Sequence, residues 1–282
     1  MSKTIRFTKM QGAGNDYVYI NGFEETLISP STFSTRISDR HFGIGSDGLV
    51  LILPSTIADF RMRMFNPDGS EAEMCGNASR CVAKYVYDKK MTSNTEFTLE
   101  TKAGIKYLTV YTGEDGLVEK VTVDMGEPIF ETSLIPALSS EDSIVNETVT
   151  IDEKEYAVTA VSMGNPHCVV FTDSTETIEL EKIGPKFESH SMFPKKTNTE
   201  FVQVINPTTL RMRVWERGTG ETLACGTGAC ATLVAAHINQ LCSNKATVEL
   251  VGGNLEIEWN RDNNRVYMTG PAVTVFEGTI EI

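Results

Sequence analysis

The 282-residue chain has only four histidines and six cysteines, and no two of its cysteines form a CxxC pair. With His41, His167, His190 and His237 scattered along the sequence, the spacing of a zinc module is missing, and no metal site is expected. A disulfide framework is not expected either in a chain of this length without secretory features. No run of eighteen apolar residues exists, so no transmembrane helix is expected. The opening MSKTIRFTKMQGAGNDYVYI lacks the continuous apolar core of a signal peptide and alternates like a strand; a cytoplasmic protein is expected. Basic residues are outnumbered, 25 to 38, for a net charge of −13. The clustered Lys and Arg of a nucleic-acid surface are therefore absent, and neither nucleic acid nor membrane is expected as a partner. No pyridoxal or nucleotide motif is present, and no cofactor is expected.

What the chain does have is a copy of itself. DFRMRMFNPDGSEAEMCGN, from Asp59 to Asn77, lies over TLRMRVWERGTGETLACGT, from Thr209 to Thr227. A constant offset of 150 carries Arg61 onto Arg211, Cys75 onto Cys225, and the GND at Gly14 onto the GNP at Gly164. FTLETKAG likewise resembles ATVELVGG with a slip of one residue, and DMGEP echoes MTGP. Ordered matches at one offset indicate duplication. The copies span roughly 1–126 and 154–270, joined by a polar, acidic connector and followed by a terminal strand. Two domains are expected: 1–126 completed by a C-terminal strand at 271–282, and 127–270 including the connector. Duplication also predicts pseudo-twofold symmetry, with corresponding elements facing a common cleft that closes on its ligand.

Local signals agree between the copies. RMRMF and RMRVW alternate like strands, and a glycine-containing loop then leads into Cys-Gly. After Cys75, ASRCVAKYVYD has helical apolar spacing; after Cys225, ACATLVAAHI is apolar nearly all round, as a buried helix is. The rest is short, β-rich and closely spaced. The expected fold class is α+β: two pseudo-symmetric domains, each a curved, mostly antiparallel β-sheet or barrel around a central helix.

A cysteine at a helix N-terminus sits where unpaired N–H groups and the helix dipole lower a thiol pKa and attract anions. Alone it could be a nucleophile, a redox centre or a packed residue. Two symmetry-related copies suit a different task. One group takes a proton from a carbon while the other delivers one to the opposite face, which inverts a stereocentre. The hydrogen α to a carboxylate is hard to remove because the product approaches a dianionic enediolate. Helix N-termini at Gly76-Asn77 and Gly226-Thr227 would stabilise that charge.

MQGAGNDY, FNPDGSEAEMCGNASRC, MGNPHCVV, KTNTEF and ERGTGETLACGTGACA, in this order across residues 9–238, resemble the diaminopimelate epimerase family. The resemblance implies two pseudo-symmetric domains with the last strand returning to the first, and a homodimer as a possible assembly. It also implies an isomerase without pyridoxal phosphate that interconverts LL- and meso-diaminopimelate on the route to lysine and peptidoglycan. By motif, Cys75 and Cys225 match the acid/base pair, and His167 and Glu216 match residues that tune the two thiols. Asn15, Asn66, Gly76, Asn77, Asn165, Asn198, Glu216, Arg217, Gly226 and Thr227 match substrate-binding positions. Their chemistry suits a substrate with an amino-acid group at each end: Arg217 for a carboxylate, Glu216 for an ammonium, and asparagines for either.

Two positions depart from family patterns. Gly48 stands where some members carry a substrate-contacting Gln, and Phe276 where some carry a dimer-forming Tyr. Cys81, Cys168, Cys230 and Cys242 are assigned to packing. Other readings are a proline or hydroxyproline racemase of the same superfamily, a thiol-based redox protein, and a non-catalytic binding protein. Glu216, Arg217 and Asn198 speak against the first, because they imply a second charged end on the substrate. Cys75 disfavours related isomerases that carry an acidic residue at its position.

Overall fold

The computed structural model describes residues 3–281. The chain forms two compact units, Met1–Val123 with Thr269–Ile282, and Asp124–Met268. The first begins with β1 (Thr4–Gly12), β2 (Asn15–Asn21), α1 (Pro30–Ser38), β3 (Leu49–Leu53), β4 (Phe60–Phe65) and β5 (Glu71–Ala72). It continues through α2 (Gly76–Asp88), β6 (Glu96–Thr101), β7 (Gly104–Thr112) and β8 (Val118–Gly126). The second holds β9 (Glu147–Ile151), β10 (Lys154–Ser162), β11 (Pro166–Phe171), α3 (Leu180–Glu188), β12 (Asn198–Asn206) and β13 (Thr209–Glu216). Then come β14 (Gly220–Thr222), α4 (Gly226–Ile238), β15 (Lys245–Leu250), β16 (Gly253–Asn260) and β17 (Arg265–Pro271). The last strand, β18 (Val273–Glu281), pairs with β1 and completes the first unit.

Pairing for pairing, the second unit repeats the first. The first runs β18–β1–β2 antiparallel, β2–β3 parallel, β3–β4 antiparallel, β4–β6 parallel and β6–β7–β8 antiparallel, with β5 folded onto β4. The second runs β9–β10–β11 antiparallel, β11–β12 parallel, β12–β13 antiparallel, β13–β15 parallel and β15–β16 antiparallel, with β14 folded onto β13. Even the register is kept: Val18 lies opposite Leu49, and Cys168 opposite Thr199. Each sheet is open, since among the described residues β18 does not pair with β8, nor β9 with β17. The architecture is α+β, as the alternating strands and two Cys-Gly helices predict.

In the second unit the sheet curves around α4, which packs against β10, β11, β12, β13, β15 and β16. From Gly228 to Ala236 every residue of α4 is buried, so an all-apolar sequence costs nothing in exposed surface. α2 packs against β1, β2, β7 and β18. It is less apolar, and its buried Lys84 runs its stem through the core to reach Val118 O at 2.6 Å and Asp88 at 2.7 Å.

The opposite face of each sheet is covered by a short helix that hydrophobic periodicity did not reveal. α1 lays Phe33 and Ile37 against Val18, Ile20, Leu49, Leu51 and Phe65. α3 lays Leu180 and Phe187 against Cys168, Val170 and Phe201. The central strands are thus buried on both faces, which is why their sequences read as nearly continuous apolar runs. The acidic connector is not a free tether. Its Ile135, Ala137 and Ile144 are buried in the same core as β9 and β10, and Ile129 bridges to Ser162.

Candidate functional site

Each Cys-Gly pair follows a hairpin pinned by the second arginine of the Arg-Met-Arg triplet. Arg63 grips Glu71 across β4 and β5 with two bonds of 2.7 and 3.0 Å; Arg213 grips Glu221 across β13 and β14 at 2.7 and 2.9 Å. Such bidentate pairs fix geometry as well as charge. The chain then reaches an extended residue, Cys75 (φ −139°) or Cys225 (φ −118°), which is the N-cap of α2 or α4. Neither cysteine caps its helix through its side chain. Gly76 and Asn77, and likewise Gly226 and Thr227, form the first helical turns, where backbone N–H groups lack intrahelical partners. None of the six cysteines is in a disulfide.

In the first unit the half-buried Cys75 donates its S–H to Asn15 Oδ1 at 3.3 Å. The amide of Asn77 lies 3.5 Å from the same oxygen. Asn15 is itself oriented, because its Nδ2 donates to Asp47 Oδ2 at 2.8 Å. Asp47 also accepts the Asp16 N–H and pairs with Arg40. Asn66 is in the turn between β4 and β5, where its amide donates to Ser70 Oγ at 3.0 Å. Beneath this group Tyr19 is fully buried beside Cys81. Burial pushes the Cys81 thiol up to about 11 and the Tyr19 hydroxyl well above its usual range, so both stay protonated.

In the second unit the fully buried His167 joins two partners: Nδ1 meets Glu200 Oε1 at 2.7 Å, and Nε2 meets Asn165 Oδ1 at 3.0 Å. Asn198 is committed to the backbone, donating to Pro166 O and accepting the Arg217 N–H, both at 2.9 Å. It therefore shapes the turn that carries Arg217, whose exposed guanidinium reaches Lys195 O at 3.3 Å. Glu216, the counterpart of Asn66 in the duplication, accepts from the Thr222 hydroxyl. Cys225 is 6 % exposed, with Thr227 Oγ1 3.5 Å from its sulfur.

The environment of Cys225 departs from the expectation for a helix N-terminus. Burial raises its thiol pKa well above the ordinary value, and the Glu216 and Glu200 carboxylates raise it further. The Thr227 hydroxyl and Gly228 N–H pull the other way and do not prevail. Desolvation outweighs these two hydrogen bonds, which favours the thiol form of Cys225.

Sequence reasoning missed Glu200 and Asp47. Glu200 is fully buried, whereas a single Glu inside EFVQVI reads as an outward residue of a strand with one wet face. The usable signal was the apolar pair directly after it, since Phe201 and Val202 point to opposite faces of β12 and are both buried. The structure also places Cys168 and Cys230 wholly in packed interior, with Cys168 pushed up by burial and by the Glu200 charge. Among the described residues no group of three or more His, Cys, Asp or Glu converges as a metal cage, and no helix is long and apolar enough to cross a membrane.

Known proteins bear on this arrangement. The family model for diaminopimelate epimerase matches residues 7–131 and 159–275. The diaminopimelate epimerase of Acetivibrio thermocellus is 61% identical over 278 residues, covering 99% of both chains. That of Methanococcus maripaludis is 58% identical, covering 99% of this chain and 100% of the relative. A crystal structure of the Bacillus anthracis phenazine biosynthesis protein of the PhzF family superposes with a TM-score of 0.72 at 17% identity, covering 99% of this chain and 100% of that one. That likeness concerns the fold alone. The two sequence relationships go further: the chain belongs to the diaminopimelate epimerase family.

Proposed function

We propose that this protein is a diaminopimelate epimerase that interconverts LL- and meso-diaminopimelate with two cysteines, Cys75 and Cys225, as its acid/base pair. The observation that carries the reading is the equivalence of these residues: each is the extended N-cap of the buried helix of its unit, and it stands at the helix start that the duplication repeats. In one direction Cys75, as thiolate, takes the α-proton and Cys225, as thiol, supplies a proton to the opposite face. The roles exchange in reverse. Deprotonation places a second negative charge on the substrate carboxylate. The N–H groups at Gly76-Asn77 and Gly226-Thr227 are suited to stabilise it more strongly in the transition state than in the ground state.

His167 and Glu216 tune the thiols in this proposal. Asn15, Asn66, Asn165, Asn198, Glu216 and Arg217 hold the two amino-acid ends of the substrate. Each unit supplies one half of the catalytic pair. A homodimer and a cytoplasmic location belong to the same reading; Val275 and Phe276 stand exposed on β18 as candidate contact residues, and sedimentation measures the assembly.

The direct test incubates the purified chain with LL-diaminopimelate under reducing conditions without added cofactor and separates the stereoisomers chromatographically. Appearance of the meso form is expected. Turnover of proline or hydroxyproline instead would replace the substrate, and binding without isomerisation would replace the function.

A further inference from the structure

The duplication is broken at a buried position beside His167. The offset that carries Val18 onto Cys168 carries Val50 of the first unit onto Glu200 of the second, and both are fully buried. A carboxylate has replaced a valine in the interior, where it must find partners or be costly. One oxygen has found a partner, since Glu200 Oε1 lies 2.7 Å from His167 Nδ1. The other, Oε2, is buried and has no hydrogen-bond partner among the described residues.

Room for this carboxylate comes from Gly228 in the first turn of α4. A Cβ at Gly228 would stand 2.6 Å from Glu200 Oε1 and 3.3 Å from Cys225 Sγ. The carboxylate, the thiol and the helix start thus converge over one residue that has no side chain. His167 also lies on this side of the sheet, opposite the face where Cys168 and Phe201 pack against α3. Its second ring nitrogen faces Asn165.

We propose that Glu200 is a positioning residue for the epimerase reaction: by accepting from Nδ1–H it fixes the ring plane and tautomer of His167, so that Nε2 is held toward Asn165. This rests on the epimerase reading for its catalytic meaning, though not for its geometry. The dependence is on an acceptor at this position, not merely on volume. A valine, which the first unit carries there, fills space without orienting the ring, whereas glutamine retains an acceptor oxygen.

The test combines nitrogen-15 NMR of histidine-labelled protein with steady-state kinetics. The His167 resonances are assigned by their loss in His167→Gln. In the parent, Nδ1 of His167 is expected to carry the proton. In Glu200→Val that preference is lost, and kcat falls at least tenfold while KM changes less than threefold. Glu200→Gln restores the Nδ1–H tautomer and recovers most of kcat. Should Glu200→Val fail to fold, Gly228→Ala displaces the carboxylate without removing it and is expected to show the same tautomer change. An unchanged His167 tautomer in Glu200→Val or Gly228→Ala overturns the proposal, and so does a glutamine variant no better than valine. The NMR measurement needs no substrate, so a parent protein inert toward diaminopimelate would defeat the functional reading while leaving the orientation of His167 separately measurable.

Discussion

The Cys75 thiol donates to Asn15 Oδ1 across 3.3 Å, and that oxygen faces the sulfur because Asp47 holds the other end of the amide at 2.8 Å. Without Asp47 the amide is free to turn its NH2 toward the thiol, exchanging an acceptor for a donor. Asp47→Ala is expected to lower kcat/KM about 10- to 100-fold, the range of one lost charge-assisted hydrogen bond. Asp47→Asn, which keeps an acceptor, should lose less. Steady-state kinetics in both reaction directions measures this.

Beneath the same loop, the buried Lys9 pairs with Asp16 and donates to Gly45 O. Burial raises the Asp16 pKa, but its bonds to Lys9 and Arg40 outweigh this and hold it below the ordinary 3.8. A depressed carboxylate contributes stability that is present above the unfolded-state value and is lost as pH falls through the native one. Stability of the parent should therefore drop more steeply below about pH 4 than that of Asp16→Asn. Lys9→Met, which leaves Asp16 with Arg40 alone, should cost about 3 kcal/mol at pH 7. Urea unfolding across a pH series gives both quantities.

In the substrate-free protein Cys225 should alkylate slowly, since burial and the Glu216 and Glu200 charges all raise its pKa. With iodoacetamide at pH 8, peptide mapping is expected to find Cys225 labelled slowly, and Glu216→Gln to speed the labelling. Rapid modification of Cys225 at pH 7 would contradict this environment.

Gly48 has no room for a side chain. Its φ is +145°, and a Cβ there would lie 2.1 Å from Phe65 O, a backbone atom that cannot swing aside. Gly48→Gln is expected to destabilise the fold by about 3 kcal/mol through strain and overpacking, without improving kcat/KM. Thermal unfolding paired with kinetics tests both parts.

The sequence revealed what repeats and hid what is singular. Ordered matches at one offset located both Cys-Gly helices and the hairpins before them, because Arg63–Glu71 and Arg213–Glu221 are the same device used twice. α1 and α3 escaped notice because each is only nine residues long: α1 offers two apolar anchors, Phe33 and Ile37, and α3 carries Leu180, Ile183 and Phe187 at helical spacing but is interrupted by Gly184 and Pro185. The acidic connector hid Ile135 and Ile144, which reach the core from a mostly polar stretch. Motif matching named His167, but its orienting partner Glu200 came only from folding β12 against β11. A charge on a strand buried on both faces is distinguished in sequence from one facing water only by its adjacent apolar neighbours, here Phe201 and Val202.

The two-base proposal is tested most directly by proton NMR of diaminopimelate in deuterated water, comparing the parent with Cys75→Ala and Cys225→Ala. The parent is expected to exchange the α-hydrogen for deuterium and invert the centre, with deuterium entering the product as the configuration changes. Each single variant should lose inversion. Full inversion by either alanine variant would show that one cysteine suffices and would contradict the paired mechanism.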